Sequence, residues 1–339
     1  MQKYPKRCSA VNSYGLWLSS FDGPFRVMQC HGSERLFLRM TRIAGVLVYW
    51  AVSAVAPALA QDTTVSNLNR GRMVGVVAAG GLAITGSLIA LDRAWFEQYE
   101  QVPFQTFNDG DEWYQMDKAG HVWSAYTLGH YGKGLLDWCG TSEGVSRWVG
   151  GSIGLVYLTG VELMDGRSAG WGYSWWDMAA NVAGTGLFIG QDLAWGEQRI
   201  LPKFSAHLTD FAAQRPDLLG ETVPERLLKD YNGQTYWLSV APRSFFKGSR
   251  LPTWLCVSGG YGAEGMVSAY PQYQSGDATT ANGDPFRQYF LSLDVDLTKI
   301  PTQSSFLRTV LFTLNCIKVP APALEFRSNG RVLAHGIYF

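Results

Sequence analysis

Four stretches of this chain carry their apolar residues in long, nearly uncharged runs that read as helices, and the last third switches to alternation. The first run, residues 73–91, holds no charge and is bounded by Arg72 and Asp92. It is long enough to cross a bilayer. Gly75, Ala79, Ala83 and Ser87 recur along it every fourth residue. Such a small-residue stripe lets a second helix approach closely where lipid removes the hydrophobic drive. Three further helices are expected at about residues 117–138, 147–165 and 175–197, with small residues again four apart at Ala180 and Gly184 and at Gly186 and Gly190. A membrane-associated four-helix bundle follows. A soluble bundle with tight Gly/Ala packing is the rival, and His121, His130, Lys133 and Asp137 favour it, because such groups face lipid only at a cost.

Beyond residue 215 the texture changes. Tyr289, Leu291, Leu293, Val295 and Leu297 alternate with mostly polar residues, the period of a strand. Residues 254–261, 323–326 and 331–339 also read as strands. Leu307, Val310, Leu311 and Leu314 fit one face of a helix entered through residues 302–305 and stopped before Pro320. The expectation is a C-terminal α+β extension of a few strands, too few for an eight-stranded closed barrel. The terminal aromatic, Phe339, suits an outer-membrane strand or a buried strand of an ordinary sheet equally.

Composition narrows the setting. The 28 basic and 28 acidic residues cancel, and only 17% of the chain is charged, so nothing favours nucleic acid. Aromatics make up 14%, with 13 Trp, a bias toward a membrane or its interface. Residues 40–60 read as a secretory signal peptide: Met40-Thr41-Arg42, an uncharged run over 43–56, and Ala58 and Ala60 at the two small-residue positions before Gln61. An uncleaved anchor helix is the alternative. Residues 1–39 read as a segment upstream of the true start at Met40. The mature chain then divides into a helical bundle over 61–215 and the extension over 216–339. Its cysteines, Cys139, Cys256 and Cys316, form no C-x-x-C and read as small buried hydrophobes.

The candidate chemistry lies in ionisable groups set into the apolar helices. Asp117, Lys118 and His121 open the second helix, Glu162 and Asp165 close the third, and Asp177 and Asn181 open the fourth. Successive helices joined by short connections run antiparallel, so all seven converge at one end of the bundle. The linker over 94–116 and the loop over 166–171 roof that end with aromatic side chains. Three readings stay open. The cluster is a structural network of ion pairs and caps. It binds a divalent metal or a polar ligand, with His121, Glu162 and Asp177 as metal ligands. Or His121 is a general base or nucleophile acting on a lipid-linked substrate.

The run Asp117-Lys118-x-x-His121, Glu162-x-x-Asp165-Gly166 and Trp176-Asp177-x-x-Ala180-Asn181-x-x-Gly184 resembles a YfiM-type family of predicted periplasmic lipoproteins over about residues 70–200. More distantly it is similar to VanZ-like membrane proteins. Residues 287–300 and the run from Pro320 to Phe326 resemble longer members from Bacteroidota envelopes. The family has no assigned reaction, so the resemblance implies location more than chemistry. One feature departs from it: a lipoprotein carries Cys after the cleavage site, and here that residue is Gln61. The lipid anchor does not carry over, which leaves membrane attachment to residues 73–91 or to the tail. The functional expectation is a non-catalytic outer-membrane or periplasmic component binding an envelope protein or cell-wall ligand at the polar end, in contact with membrane lipid. A membrane-embedded hydrolase or transferase is the alternative.

Overall fold

The computed structural model describes residues 68–96, 99–271 and 284–339. The segment over 1–39, the signal peptide and Gln61 lie outside the described residues. Four helices come first: α1 (Arg70–Leu91), α2 (Met116–Cys139), α3 (Ile153–Asp165) and α4 (Trp175–Trp195). Two short strands, β1 (Thr106–Phe107) and β2 (Tyr173–Ser174), pair in parallel and tie the α1–α2 linker to the start of α4. Six longer strands follow: β3 (Ile200–Ala206), β4 (Gln234–Val240), β5 (Leu255–Glu264), β6 (Phe286–Val295), β7 (Ala321–Arg327) and β8 (Val332–Tyr338). They form one antiparallel sheet in sequence order. A helix, α5 (Ser305–Leu314), capped by the Ser304 hydroxyl, bridges β6 to β7.

Glycine sets the closeness of the helices. A Cβ on Gly154 would sit 2.3 Å from the Ala125 carbonyl oxygen, and one on Gly184 would sit 2.3 Å from that of Val122. Both α3 and α4 therefore touch the backbone of α2. Most of the expected stripe on α1 faces elsewhere: Gly75, Ala79 and Ala83 are exposed, Ser87 alone meets α3 by accepting from the Tyr157 hydroxyl at 3.0 Å, and the packed side carries Met73, Val76, Ile84 and Leu88. Those larger side chains reach Leu136, Cys139 and Met164 across a gap that small residues would leave open.

The expectation of a mainly α, membrane-associated four-helix bundle with a few strands appended is corrected. A six-stranded antiparallel sheet makes up much of the molecule, and its first strand, β3, arises before residue 216. Among the described residues α1 alone is long and apolar enough to cross a membrane. Its neighbours carry ionisable groups along their length, whereas α1 is uncharged from Met73 to Leu91, with Val74 and Leu82 70% and 75% exposed.

The sheet inverts the usual polarity. Lys203, Ser205, Ser239, Ser258, Gln288, Ser292, Asp294 and Glu325 are buried, while Leu238, Val257, Tyr289, Leu291, Leu293, Leu324 and Phe326 are exposed. The exposed residues pair across strands, Tyr289 opposite Phe326, Leu291 opposite Leu324 and Leu293 opposite Val257. Inside, Asp294 accepts from the Ser239 hydroxyl at 2.6 Å and the Val319 N–H at 3.0 Å, and lies 3.0 Å from Lys203 Nζ. Lys318 donates to the carbonyls of Leu293 and Val319, each at 2.7 Å. Edge closure is partial: residues 316 and 318 hydrogen-bond to Phe204 of β3, and Tyr338 of β8 reaches Thr235 of β4 at 3.2 Å.

Candidate functional site

The antiparallel path returns the end of α1, the start of α2, the end of α3 and the start of α4 to one end of the helical layer. Backbone strain aims α2 there. Trp113, Tyr114 and Gln115 take φ of 48°, 50° and 62°, left-handed values for residues with a Cβ. Each such residue costs on the order of 1–3 kcal/mol and persists only where its surroundings fix it. Here the Trp113 N–H bonds the Ala269 carbonyl at 2.7 Å, and Arg287 of β6 donates to the Tyr114 carbonyl at 3.0 Å and to Gln115 Oε1 at 2.8 Å. The sheet thereby holds the turn that directs Asp117, Lys118 and His121.

At the start of α4 the Ser174 hydroxyl accepts the Asp177 N–H at 3.0 Å, an N-cap, and donates to Asp109 Oδ1 at 2.6 Å. The Ser174 N–H donates to Glu162 Oε2 at 3.1 Å. One serine thus joins α3, α4 and the linker.

Two cation-binding arrangements meet at Asp177. In the first, Lys118 Nζ lies 2.7 Å from Asp117 Oδ2 and 2.9 Å from Asp177 Oδ1, and also contacts Asp109 Oδ2. In the second, His121 Nε2 lies 3.7 Å from Glu162 Oε1 and 3.9 Å from Asp177 Oδ1. His121 Nδ1 stands 2.9 Å from Asn181 Oδ1. An amide oxygen only accepts, so Nδ1 donates to it and the ring turns Nε2 toward the two carboxylates. Glu162 Oε1 is buried with no hydrogen-bond partner. Asp177 Oδ1 likewise lacks a hydrogen bond, although the Lys118 ammonium is close by. Lone pair against carboxylate oxygens is repulsive unless a cation or proton lies between them.

The electrostatics follow from burial. Desolvation pushes the Glu162 carboxyl up to about 8 and that of Asp177 to about 6, partly opposed in each by His121. Burial raises Asp165 and Asp117 as well, and takes Glu112 to about 7. Asp109 moves the other way. Burial acts against its charge, but the hydrogen bonds from Lys118 and Ser174 outweigh it and leave the pKa low. Burial likewise opposes the charge on Lys118, and Asp117 and Asp177 overcome it, raising its pKa.

A cavity of about 360 Å³ opens beside this cluster. Its polar wall includes Asp109, Glu112, Asp117, His121, Asp165 and Asp177, with Asp217 and Lys229; its apolar wall includes Trp95, Phe96, Tyr99, Tyr157 and Trp171. Of the residues singled out from sequence, Asp117, Lys118, His121, Glu162, Asp177 and Asn181 make direct contacts with one another. Asp165 lines the cavity but contributes no atom to either converging set. Asp109 and Ser174 were missed as site residues. The linker over 94–116 was expected at this end, but it has no periodicity to assign Asp109 a face, and the β1–β2 pairing fixes its place beside Ser174.

His121, Glu162 and Asp177 each offer one ligand atom, all within 4.8 Å of one another. Ligands about 2.1 Å from a tetrahedral ion stand about 3.4 Å apart, so a small inward movement of these groups would enclose one. An imidazole with two carboxylates suits a borderline or hard divalent ion, and the Asn181 contact is the orienting second-layer bond that such a histidine ordinarily has.

Fold and site together define a helix-and-sheet protein with a carboxylate-rich cavity at one end of its helices. Residues 105–189, from the start of β1 into α4 and spanning the whole cluster, match the family described as predicted periplasmic lipoprotein (DUF2279). That description agrees with the location expected from the signal sequence: the protein belongs to the cell envelope, periplasmic and membrane-associated. No curated protein and no solved structure matches the chain.

Proposed function

We propose that this is a non-catalytic envelope component that holds one divalent cation between His121, Glu162 and Asp177 and, with it, an envelope ligand in the adjoining cavity. The observation that carries the reading is Glu162 Oε1, an oxygen in a side chain 1% exposed, without a hydrogen bond and 3.7 Å from His121 Nε2. A buried acceptor left unsatisfied costs about 1–3 kcal/mol, and ion ligation recovers that cost. The finer likenesses to YfiM-type and VanZ-like proteins rest on the same residues and belong to this proposal. Membrane lipid is the surrounding we assign to α1 and to the outer face of the sheet. Apolar side chains outside and charged ones inside are the pattern of strands that face lipid. Equilibrium dialysis of the full chain against Mn²⁺ and Zn²⁺ tests the cation. The reading expects one ion per chain and loss of binding in Glu162→Gln; binding that survives Glu162→Gln unchanged contradicts it.

A further inference from the structure

Lys118 is an unusual partner for its surroundings. A structural ion pair needs one carboxylate, whereas three converge on this ammonium, from the linker, from α2 and from α4. One oxygen from each of Asp109, Asp117 and Asp177 lies within 4.8 Å of the others. Asp177 also belongs to the set with His121 and Glu162. Its Oδ1 stands 2.9 Å from the Lys118 nitrogen and 3.9 Å from His121 Nε2. A cation held by His121, Glu162 and Asp177 would share Asp177 with the Lys118 ammonium, as two ions share a bridging carboxylate in a two-cation centre. The buried Glu162 Oε1, without a hydrogen bond, points to such a cation independently of Lys118.

We infer that Lys118 is a tethered cation occupying one position of a two-cation carboxylate centre, so that the protein takes a single divalent ion where its carboxylates could hold two. The inference deepens the metal reading above and rests on it for the native stoichiometry, but not for the effect of removing the ammonium. Lys118 acts as a positioning residue: it neutralises Asp109 and Asp117 and holds Asp177 where one oxygen faces His121. The position it fills is made of carboxylates alone, so a hard ion with oxygen preference is its divalent counterpart. Mn²⁺ satisfies both positions, since it accepts carboxylate and imidazole.

The test counts Mn²⁺ bound to the full-length chain and records its electron paramagnetic resonance. Wild type is expected to bind one ion with the hyperfine-split signal of an isolated Mn²⁺. Lys118→Met keeps the aliphatic stem, removes the charge and is expected to bind two, with the isolated signal lost to coupling through Asp177. Adding Asp109→Asn to that variant should return the count to one. Where wild type binds one ion, a count of one in Lys118→Met, or two ions that give uncoupled signals, overturns the inference. Should wild type bind none while Lys118→Met binds one ion that Asp109→Asn abolishes, the native metal reading falls and the role of Lys118 stands. If Lys118→Met is unfolded in buffer, saturating Mn²⁺ is expected to restore the fold; a chain that stays unfolded there, and likewise as Lys118→Ala, counts against the inference.

Discussion

Asp294 and Glu162 are both carboxylates whose side chains are 1% exposed or less, yet the two regions treat them differently. Inside the sheet, Asp294 has the Ser239 hydroxyl and Lys203 on one oxygen and the Val319 N–H on the other. At the end of the helices, Glu162 has the Ser174 N–H on Oε2 and no hydrogen bond on Oε1, with His121 Nε2 3.7 Å away. A finished network specifies packing. An unfinished one, beside a cavity and an oriented imidazole, is arranged to receive something from outside the chain. Burial of charge alone does not mark a site; burial with a missing partner does.

The largest effect that separates the two regions should be on stability. Asp294→Ala leaves Lys203 and Lys318 buried without their counter-ion and should cost about 3–5 kcal/mol in chemical denaturation. Glu162→Gln, measured near neutral pH without divalent cation, should stay within about 1 kcal/mol of wild type, since burial already pushes this carboxyl up to about 8 and the amide replaces a mostly uncharged group of the same shape. Equal losses would erase the distinction. Next comes cation affinity. Asn181→Ala frees the His121 ring without touching a ligand atom and should weaken Mn²⁺ binding about 10–100-fold by calorimetric titration. An unchanged affinity would remove Asn181 from the site.

The pH dependence has a defined sign. Folding raises Glu162 from 4.5 to about 8 and Asp177 from 3.8 to about 6. Between the unfolded and folded values the native state holds protons that the unfolded chain has released. The stability these groups contribute is therefore complete below about pH 4 and lost as pH rises through about 6 and then 8. Cation displaces the same protons, so Mn²⁺ affinity should climb over that window, and Glu162→Gln should flatten the limb near 8 in both measurements. Smallest of all, Leu291→Ser or Leu293→Ser on the outer face of the sheet should shift stability by no more than about 0.5 kcal/mol in detergent, while reducing association with lipid vesicles. A large loss in detergent would mean that this face packs against protein.

Much of the helical end was legible in the sequence, because helix order and spacing suffice to bring Asp117, His121, Glu162 and Asp177 together. Observed ends differ from the expected ones by a few residues at most in α2 and α4. The third helix was expected as one piece from 147, but a wider turn at Ser146–Gly150 precedes α3. The sheet was only half legible. Tyr289, Leu291 and Leu293 announced β6, and the hairpin strands near the C-terminus were also found. Strand β3 carries Pro202 and Lys203 where a buried strand ordinarily has aliphatic residues, so it read as part of the helical region. No period marks an inverted sheet, since alternation is the same whichever face turns inward. Asp109 and Ser174 were hidden for a related reason: their place depends on a strand pair of two residues each, too short to carry a pattern.

The most direct measurement of the central claim is anomalous diffraction from crystals of the full chain grown with Mn²⁺. The account predicts one peak about 2.0–2.3 Å from His121 Nε2, Glu162 Oε1 and Asp177 Oδ1, and none within the Lys203, Asp294 and Lys318 network of the sheet. A peak in the sheet, or no peak at His121 at saturating Mn²⁺, would contradict it.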